Sequence, residues 1–243
     1  MVVTGPAGSG RTTTIYGALH ELASRGNLKI ITAEDPVEYE VEGVLQQQVG
    51  PAEGVSYAQA IVAQMRQDPD VMMVGECRDL ETLEGVLTVA MTGHLVLTTM
   101  HANDGPTCLR RILDFGIDPY RLAIAVIGVL AQRLVRRICP QCREQYEPPA
   151  WARQGLSDLP LGPMFKGKGC EACQNSGFRG RTVIAEMLEV DDATRLLIAR
   201  NASAEEFRKQ VSASGMRSLR AAGLARAPEG ITTVDEVLRV CTG

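Results

Sequence analysis

Near the start of the chain, Gly5, Pro6, Ala7, Gly8, Ser9, Gly10, Arg11, Thr12 and Thr13 have the composition of a loop that wraps an anion. Glycines let the backbone turn so that successive N–H groups face inward, and a helix starting near Thr12 adds the positive end of its dipole. An apolar stretch precedes the loop and a helical pattern follows it, the context of a Walker A phosphate loop. Thr12 would offer its hydroxyl to Mg²⁺. Arg11 stands where that motif carries lysine, and its planar fork keeps the charge without the compact reach of an ammonium. On this reading binding survives and turnover falls; from the loop alone, a glycine-rich turn without nucleotide stands beside it.

Carboxylates follow at the ends of candidate strands. Glu34, Asp35 and Glu38 lie in Thr32-Ala-Glu-Asp-Pro-Val-Glu38, and paired carboxylates beside a phosphate loop orient water or hold Mg²⁺ through water; a solvated acidic turn is the plain alternative. The segment from Asp68 to Asp79 is a hydrophobic run that delivers Glu76 at its end, the mechanical definition of a Walker B element. Glu76 is placed to polarise an attacking water or to assist Mg²⁺. His94 opens the next apolar run and His101 lies just past its end, so about 20 Å separates them. His101 is the better candidate for sensing a terminal phosphate, and His94 reads equally as a core histidine.

Cys139-Pro-Gln-Cys142, then 27 residues, then Cys170-Glu-Ala-Cys173 supplies four thiolates as two knuckles, enough for a closed tetrahedral Zn²⁺ site. A closed site is structural. The intervening text lacks core periodicity, so the metal would supply its folding energy. Cys77, Cys108 and Cys241 have no such spacing and are expected to pack. Seven cysteines in a chain of this type argue against a disulfide framework.

These residues need a scaffold, and the first two-thirds of the chain alternates strand and helix patterns, the signature of a parallel sheet with crossover helices. Strands are expected at Lys29–Ala33, Val71–Val74 and His94–Thr99. Helices are expected at Thr12–Ser24, at Ser56–Gln67 with a Ser56/Gln59 capping box, and at Leu80–Met91 with Gly93 near its stop. After Asp104 a helix runs to about Phe115 and Gly116 ends it. Asp118-Pro119 then starts another, expected to reach about Arg137. Cys139 to Gly180 is rich in Cys, Pro and Gly. A strand at Thr182–Met187 precedes helices signalled by Ser203-x-x-Glu206 and Thr233-x-x-Glu236.

With 243 residues, 45% hydrophobic, the chain can bury a real core. No window approaches a membrane span and the start lacks a signal-peptide pattern, so the protein is expected in the cytoplasm. A net charge of −4 argues against wholesale nucleic-acid binding. Positive charge does gather at Arg133, Arg136, Arg137 and Arg143, with Lys166 and Lys168 later. Such a cluster is either a solvated face or a surface for an acidic partner or anionic lipid.

In order, Gly5–Thr14, Glu34–Glu38, Arg66–Asp79 and Thr92–Asp104 resemble the Walker A, Asp box, Walker B and His box of the type II secretion and type IV pilus ATPases, and the resemblance covers essentially the whole chain. It implies an α/β, RecA-like P-loop core with a parallel sheet (1–138), a small tetracysteine zinc-binding subdomain (139–180) and a mainly helical C-terminal region (181–243). It implies ATP as substrate, Glu76 as catalytic glutamate, Glu34, Asp35 and Glu38 as the acidic box, and His94 and His101 as the histidine box. A homo-hexamer peripheral at the inner membrane is implied too, driving a membrane-embedded platform protein. Arg78, Arg110 and Arg111 are candidates to complete a neighbour's site. In that family the zinc module separates assembly-type from retraction-type motors, which favours assembly. Members carry an N-terminal domain, a linker and several strands ahead of the phosphate loop, so a truncated chain is expected. Two other readings remain: a nucleotide-binding subunit that does not turn over, because of Arg11, and a zinc-ribbon nucleic-acid module, for which no DNA binding is expected.

Overall fold

A computed structural model describes residues 1–147 and 162–241. The stretch between the cysteine knuckles therefore lies partly outside the described residues. The chain forms two compact units, Met1–Ala7, Arg11–Ala131 and Met187–Gly215 in one and Gly8–Gly10, Gln132–Glu186 and Met216–Gly243 in the other.

In the first unit, β1 (Val2–Thr4), β2 (Ile30–Glu34), β3 (Val44–Gln48), β4 (Val71–Val74) and β5 (Leu95–Met100) pair in parallel. β6 (Gly128–Ile138) and β9 (Phe178–Glu189) each have residues in both units, and the sheet order is β3-β2-β4-β5-β1-β6-β9. β1, β2 and β4 are buried along their whole length, as expected for parallel strands covered on both faces. Helix α1 (Arg11–Ala23) buries Ile15, Tyr16 and Leu19 against Val3, Ile30, Val71, Met73 and Leu97. Each large aliphatic side chain fully buried there contributes about 1.5–3 kcal/mol.

The helix signals in the sequence correspond to real caps. Ser56 and Gln59 form the capping box of α2 (Tyr57–Met65), and Asp79 caps α3 (Leu80–Met91). Asp104, followed by Pro106, caps α4 (Gly105–Asp114), and Asp118 caps α5 (Pro119–Ala125). Helices α6 (Asp192–Ala199) and α7 (Ala204–Ala213) start at Asp191 and at a Ser203/Glu206 capping box. Cys77 and Cys108 are buried and burial pushes both thiols up to about 12, so they pack as apolar groups. Cys241 is half-buried against the small core that includes Val234 and Val237.

The helix expected to run from Pro119 to Arg137 ends at Ala125, and Gly128–Ile138 is strand β6, paired in parallel with β1 through Val2↔Val129 to Thr4↔Ala131. Most of β6 is buried without alternation, so no period distinguishes it from a buried helix; the β-branched Val126, Ile127, Val129 and Val135 are what favour the extended form. β3 was not expected either. It is an edge strand rich in glutamine, and its side chains are used as connectors: Gln46 to Glu34, Gln47 to Gln64 and Gln48 to Glu53.

In the second unit, β7 (Arg143–Tyr146) and β8 (Met164–Gly167) pair antiparallel beside the cysteines. Helices α8 (Leu219–Leu224) and α9 (Val234–Cys241) pack Leu224 and Val237 with Met164. At the start of α9, Thr233 Oγ1 accepts from the Glu236 backbone N–H at 3.1 Å. The Glu236 carboxylate does not return to the cap; it accepts from Arg136 at 3.0 and 2.8 Å and from Arg239 at 2.8 and 2.7 Å. Burial opposes ionisation of this carboxyl, yet the Arg239 and Arg136 hydrogen bonds bring it down to about 2.

Glu236→Gln is expected to cost about 1–3 kcal/mol at pH 7, the worth of hydrogen bonds to a buried charged group. The folded carboxyl lies below its ordinary 4.5, so its stabilisation is present above that pH and is lost as pH falls toward 2. Thermal melts of the two proteins should therefore differ most above pH 4.5 and converge on acidification.

Candidate functional site

Parallel pairing gathers the carboxyl ends of β1, β2, β4 and β5 along one edge of the sheet, where ligands of open α/β sheets bind. Thr4 fixes part of this edge: its Oγ1 donates to the carbonyls of Met100 and Ala102 at 3.0 and 3.2 Å and accepts the Ala102 N–H at 2.8 Å. The loop that leaves β1 holds Gly8 and Gly10 at φ of +73° and +89°, a conformation that L side chains rarely adopt. Within the second unit, Gln132 Nε2 donates to the Ser9 carbonyl at 2.8 Å. The Ser9 hydroxyl is buried and has no partner among the described residues.

One cavity in the first unit is lined by Arg11, Thr12, Glu34, Asp35, Glu38 and Glu76, with Tyr16, Tyr57, Arg78 and Thr99. The sequence-derived candidates in it have different surroundings. Glu34 is buried, and its carboxylate accepts from the Tyr16 hydroxyl, from Thr32 Oγ1 at 2.5 Å and from Gln46 Nε2 at 3.1 Å. That leaves Glu34 as a support for Tyr16, whose hydroxyl also accepts the Glu38 N–H at 3.1 Å. Burial and the Glu34 hydrogen bond push the Tyr16 phenol up to about 12. Asp35 and Glu38 are exposed at the same edge.

Glu76, 8% exposed, is held from two sides: Arg78 Nε at 2.7 Å and His101 Nε2 at 2.8 Å. Arg11 in turn donates to the Gly5 carbonyl and lies against His101, with its two Nη atoms 3.0 and 3.3 Å from the ring nitrogens. Burial holds the Arg11 guanidinium below its ordinary pKa, with the Glu76 charge acting in the opposite direction. The result is a chain of contacts, Arg11 to His101 to Glu76 to Arg78. Arg111 steadies it by donating to the His101 carbonyl at 2.7 Å. Arg110 is engaged elsewhere, with Asp114 and Asn201.

His94 is not brought to this cluster. It precedes β5 while His101 follows it, and its ring contacts Thr92 Oγ1 at 2.9 Å and the Val89 carbonyl at 3.2 Å. Sequence reasoning missed Tyr16. The signal was a tyrosine on the apolar stripe of α1 with Ile15 and Leu19, because a buried phenol needs a polar partner.

The four knuckle cysteines form a second cluster, all of whose sulfurs lie within 4.8 Å of one another. Cys139–Cys170, Cys142–Cys173 and Cys170–Cys173 are 3.9, 3.9 and 3.7 Å apart. A tetrahedron of thiolates with metal–sulfur bonds of about 2.3 Å has edges of about 3.8 Å, so the cage fits Zn²⁺. The backbone N–H groups of Cys170 and Gly177 both donate to Cys173 Sγ at 3.3 Å. Burial opposes ionisation of that thiol, but these donors bring it down to about 6, whereas burial pushes Cys142 up to about 12.

A family model described as "Type II/IV secretion system protein" matches residues 1–239. The chain is 43% identical over 241 residues to the type IV pilus assembly ATPase PilB of Thermus thermophilus, covering 98% of this chain and 27% of that protein. It is 43% identical over 242 residues to the type II secretion system ATPase E of Vibrio cholerae, covering 99% of this chain and 48% of that protein. The chain thus spans half or less of the length of these relatives. The crystal structure of the pilus retraction motor PilT with bound ADP aligns with a TM-score of 0.73 at 28% identity, covering 98% of this chain and 60% of that one.

Proposed function

The chain belongs to the type II/IV secretion system protein family, and from that premise we propose that it is the ATP-binding and hydrolysing part of a motor that powers type II secretion or type IV pilus assembly. The observation that carries the reading is the convergence of Thr12, which follows the Gly5–Gly10 loop in sequence, with Asp35 and Glu76 on one cavity at the carboxyl edge of the sheet. The orphaned Ser9 hydroxyl and the positive-φ glycines fit a loop shaped around phosphate oxygens. Thr12 and the carboxylates are oxygen donors suited to Mg²⁺, which would neutralise charge on the phosphates.

In this proposal Glu76 orients the attacking water and takes its proton, with its carboxylate direction set by Arg78 and His101. Glu34 acts through Tyr16 as a positioning residue, and His101 links the loop to Glu76. Cys139, Cys142, Cys170 and Cys173 hold a structural Zn²⁺. The partners proposed are further copies of the chain in a hexamer and an inner-membrane platform protein, with the motor peripheral to that membrane. Among the described residues no helix is long and apolar enough to cross a membrane.

The contact of Arg11 with Gly5 and His101 favours a second reading, a subunit that binds nucleotide and turns it over slowly. A guanidinium engaged there has to leave His101 to reach a phosphate, whereas lysine reaches outer phosphates as a compact point charge. Arg11→Lys is expected to raise kcat on the order of tenfold or more, the scale of one misplaced transition-state donor. Steady-state ATP hydrolysis measures it. A wild-type chain that already turns over in the ordinary range and gains nothing from lysine sinks the slow-turnover reading.

A further inference from the structure

Three arginines of the second unit converge on one recess. Arg137, Arg143 and Arg179, with Pro140, Gly230 and Ile231 among its other walls, line a cavity of about 350 Å³ with no carboxylate among its described lining residues. Arg136 alongside is paired with Glu236, and Lys166 with Glu144. Arg137, Arg143 and Arg179 have no carboxylate partner among the described residues. All three are exposed, and like charges gathered without counter-charge repel, so an anion seated among them would relieve that repulsion.

The recess has a built feature. Gly230 sits at φ +70°, and a Cβ there would lie 2.9 Å from an Nη atom of Arg143 and 3.2 Å from the Phe165 ring. Its missing side chain leaves room for the Arg143 guanidinium to lie over Phe165, 5.3 Å from the ring centroid. That packing limits the freedom of a long side chain, so less is lost when it captures a ligand.

We propose that this recess is a binding site for a phosphate-class oxyanion. Planar guanidinium forks match phosphate oxygens in paired hydrogen bonds, and a recess without carboxylates is the environment in which such bonds are strongest. Two sources present the same chemistry, a soluble phosphorylated compound and the headgroup of an anionic phospholipid. The site uses no residue of the nucleotide cavity.

The test uses the intact, zinc-loaded chain with saturating Mg·ADP, so that the phosphate loop is filled. Pyrophosphate is titrated calorimetrically, and vesicles of phosphatidylglycerol or of phosphatidylcholine are offered in a flotation assay. Arg137→Gln/Arg143→Gln/Arg179→Gln is compared with wild type, and zinc content reports that its fold is intact. The variant is expected to lose at least about tenfold in pyrophosphate affinity, given three charge-assisted contacts removed. Loss confined to phosphatidylglycerol vesicles also supports the site and identifies the lipid source. If the triple variant loses zinc, Arg179→Gln alone is used and a several-fold loss is expected. Equal binding of both probes by wild type and variant, or no binding by wild type, overturns the proposal. Failure of Mg·ADP to bind would count against the nucleotide reading and leaves the pyrophosphate comparison intact.

Discussion

Glu76→Gln is expected to lower steady-state ATP hydrolysis by about 10²- to 10³-fold or more while leaving nucleotide affinity within a few-fold, because a lost base acts on the transition state and not on the ground state. The substitution keeps shape and removes charge. Glu76 lies two residues beyond β4, is nearly buried and accepts from Arg78 and His101, so its carboxylate is held in a fixed direction at the cavity. A glutamine there still accepts from Arg78, and the fold should hold. The expected split, with kcat falling and KM little changed, separates a catalytic carboxylate from a structural one. Glu34→Gln should behave differently: Glu34 is a buried acceptor for Tyr16, Thr32 and Gln46, so its loss should appear first as reduced stability. Equal activity of Glu76→Gln and wild type would remove Glu76 from the mechanism.

The second large effect is on the tetracysteine cage. One zinc per chain is expected after mild purification, and Cys173→Ser should bring the content well below one. Binding energies of structural zinc in small domains, about 10–16 kcal/mol at pH 7, exceed the whole stability of most domains, so chelation should unfold the cysteine-bearing unit. The cage ties Cys139 and Cys142, which follow β6, to Cys170 and Cys173, which precede β9. Chelation should therefore expose β7 and β8 to protease before it affects β2, β4 and β5, whose core does not include the cysteines. Zinc binds thiolates, and burial holds Cys142 as a thiol up to about pH 12, so binding must displace its proton and affinity should fall as pH is lowered. Full stability in the presence of a strong chelator would show that the cage is not a metal site.

Much of this was legible in the residues. Ser56-x-x-Gln59, Asp118-Pro119 and Ser203-x-x-Glu206 each carry a local hydrogen-bond requirement that a helix start meets, and each became a cap. The run Val71–Val74 was a strand because four buried residues bounded by acidic turns have no other economical form. The cysteine spacing carried its own geometry. What the sequence hid depends on distant partners. Nothing local to Arg11 announces His101, 90 positions away, and only the parallel pairing of β1 with β5 brings them together. Glu76 could be placed by the strand ahead of it, but the contacts of Arg78 and His101 with its carboxylate appear only in three dimensions. β6 was misread because burial on both faces erases the alternation that identifies a strand. β3 was missed because its glutamines are chosen for the hydrogen bonds they make across to Glu34, Gln64 and Glu53, not for β-propensity.

Nucleotide capture by the phosphate loop is the claim on which the others rest, and calorimetric titration of Mg·ADP into the intact chain measures it with the least dependence on turnover. Saturable binding of one nucleotide per chain is expected, with a dissociation constant between about 1 μM and 1 mM, the range in which enzymes hold their substrates. Gly8→Ala, which puts a side chain on a backbone at φ +73°, should weaken it at least about tenfold by straining the loop. No saturable binding by either the wild-type chain or Arg11→Lys would contradict the assignment of Gly5–Thr12 as a phosphate loop.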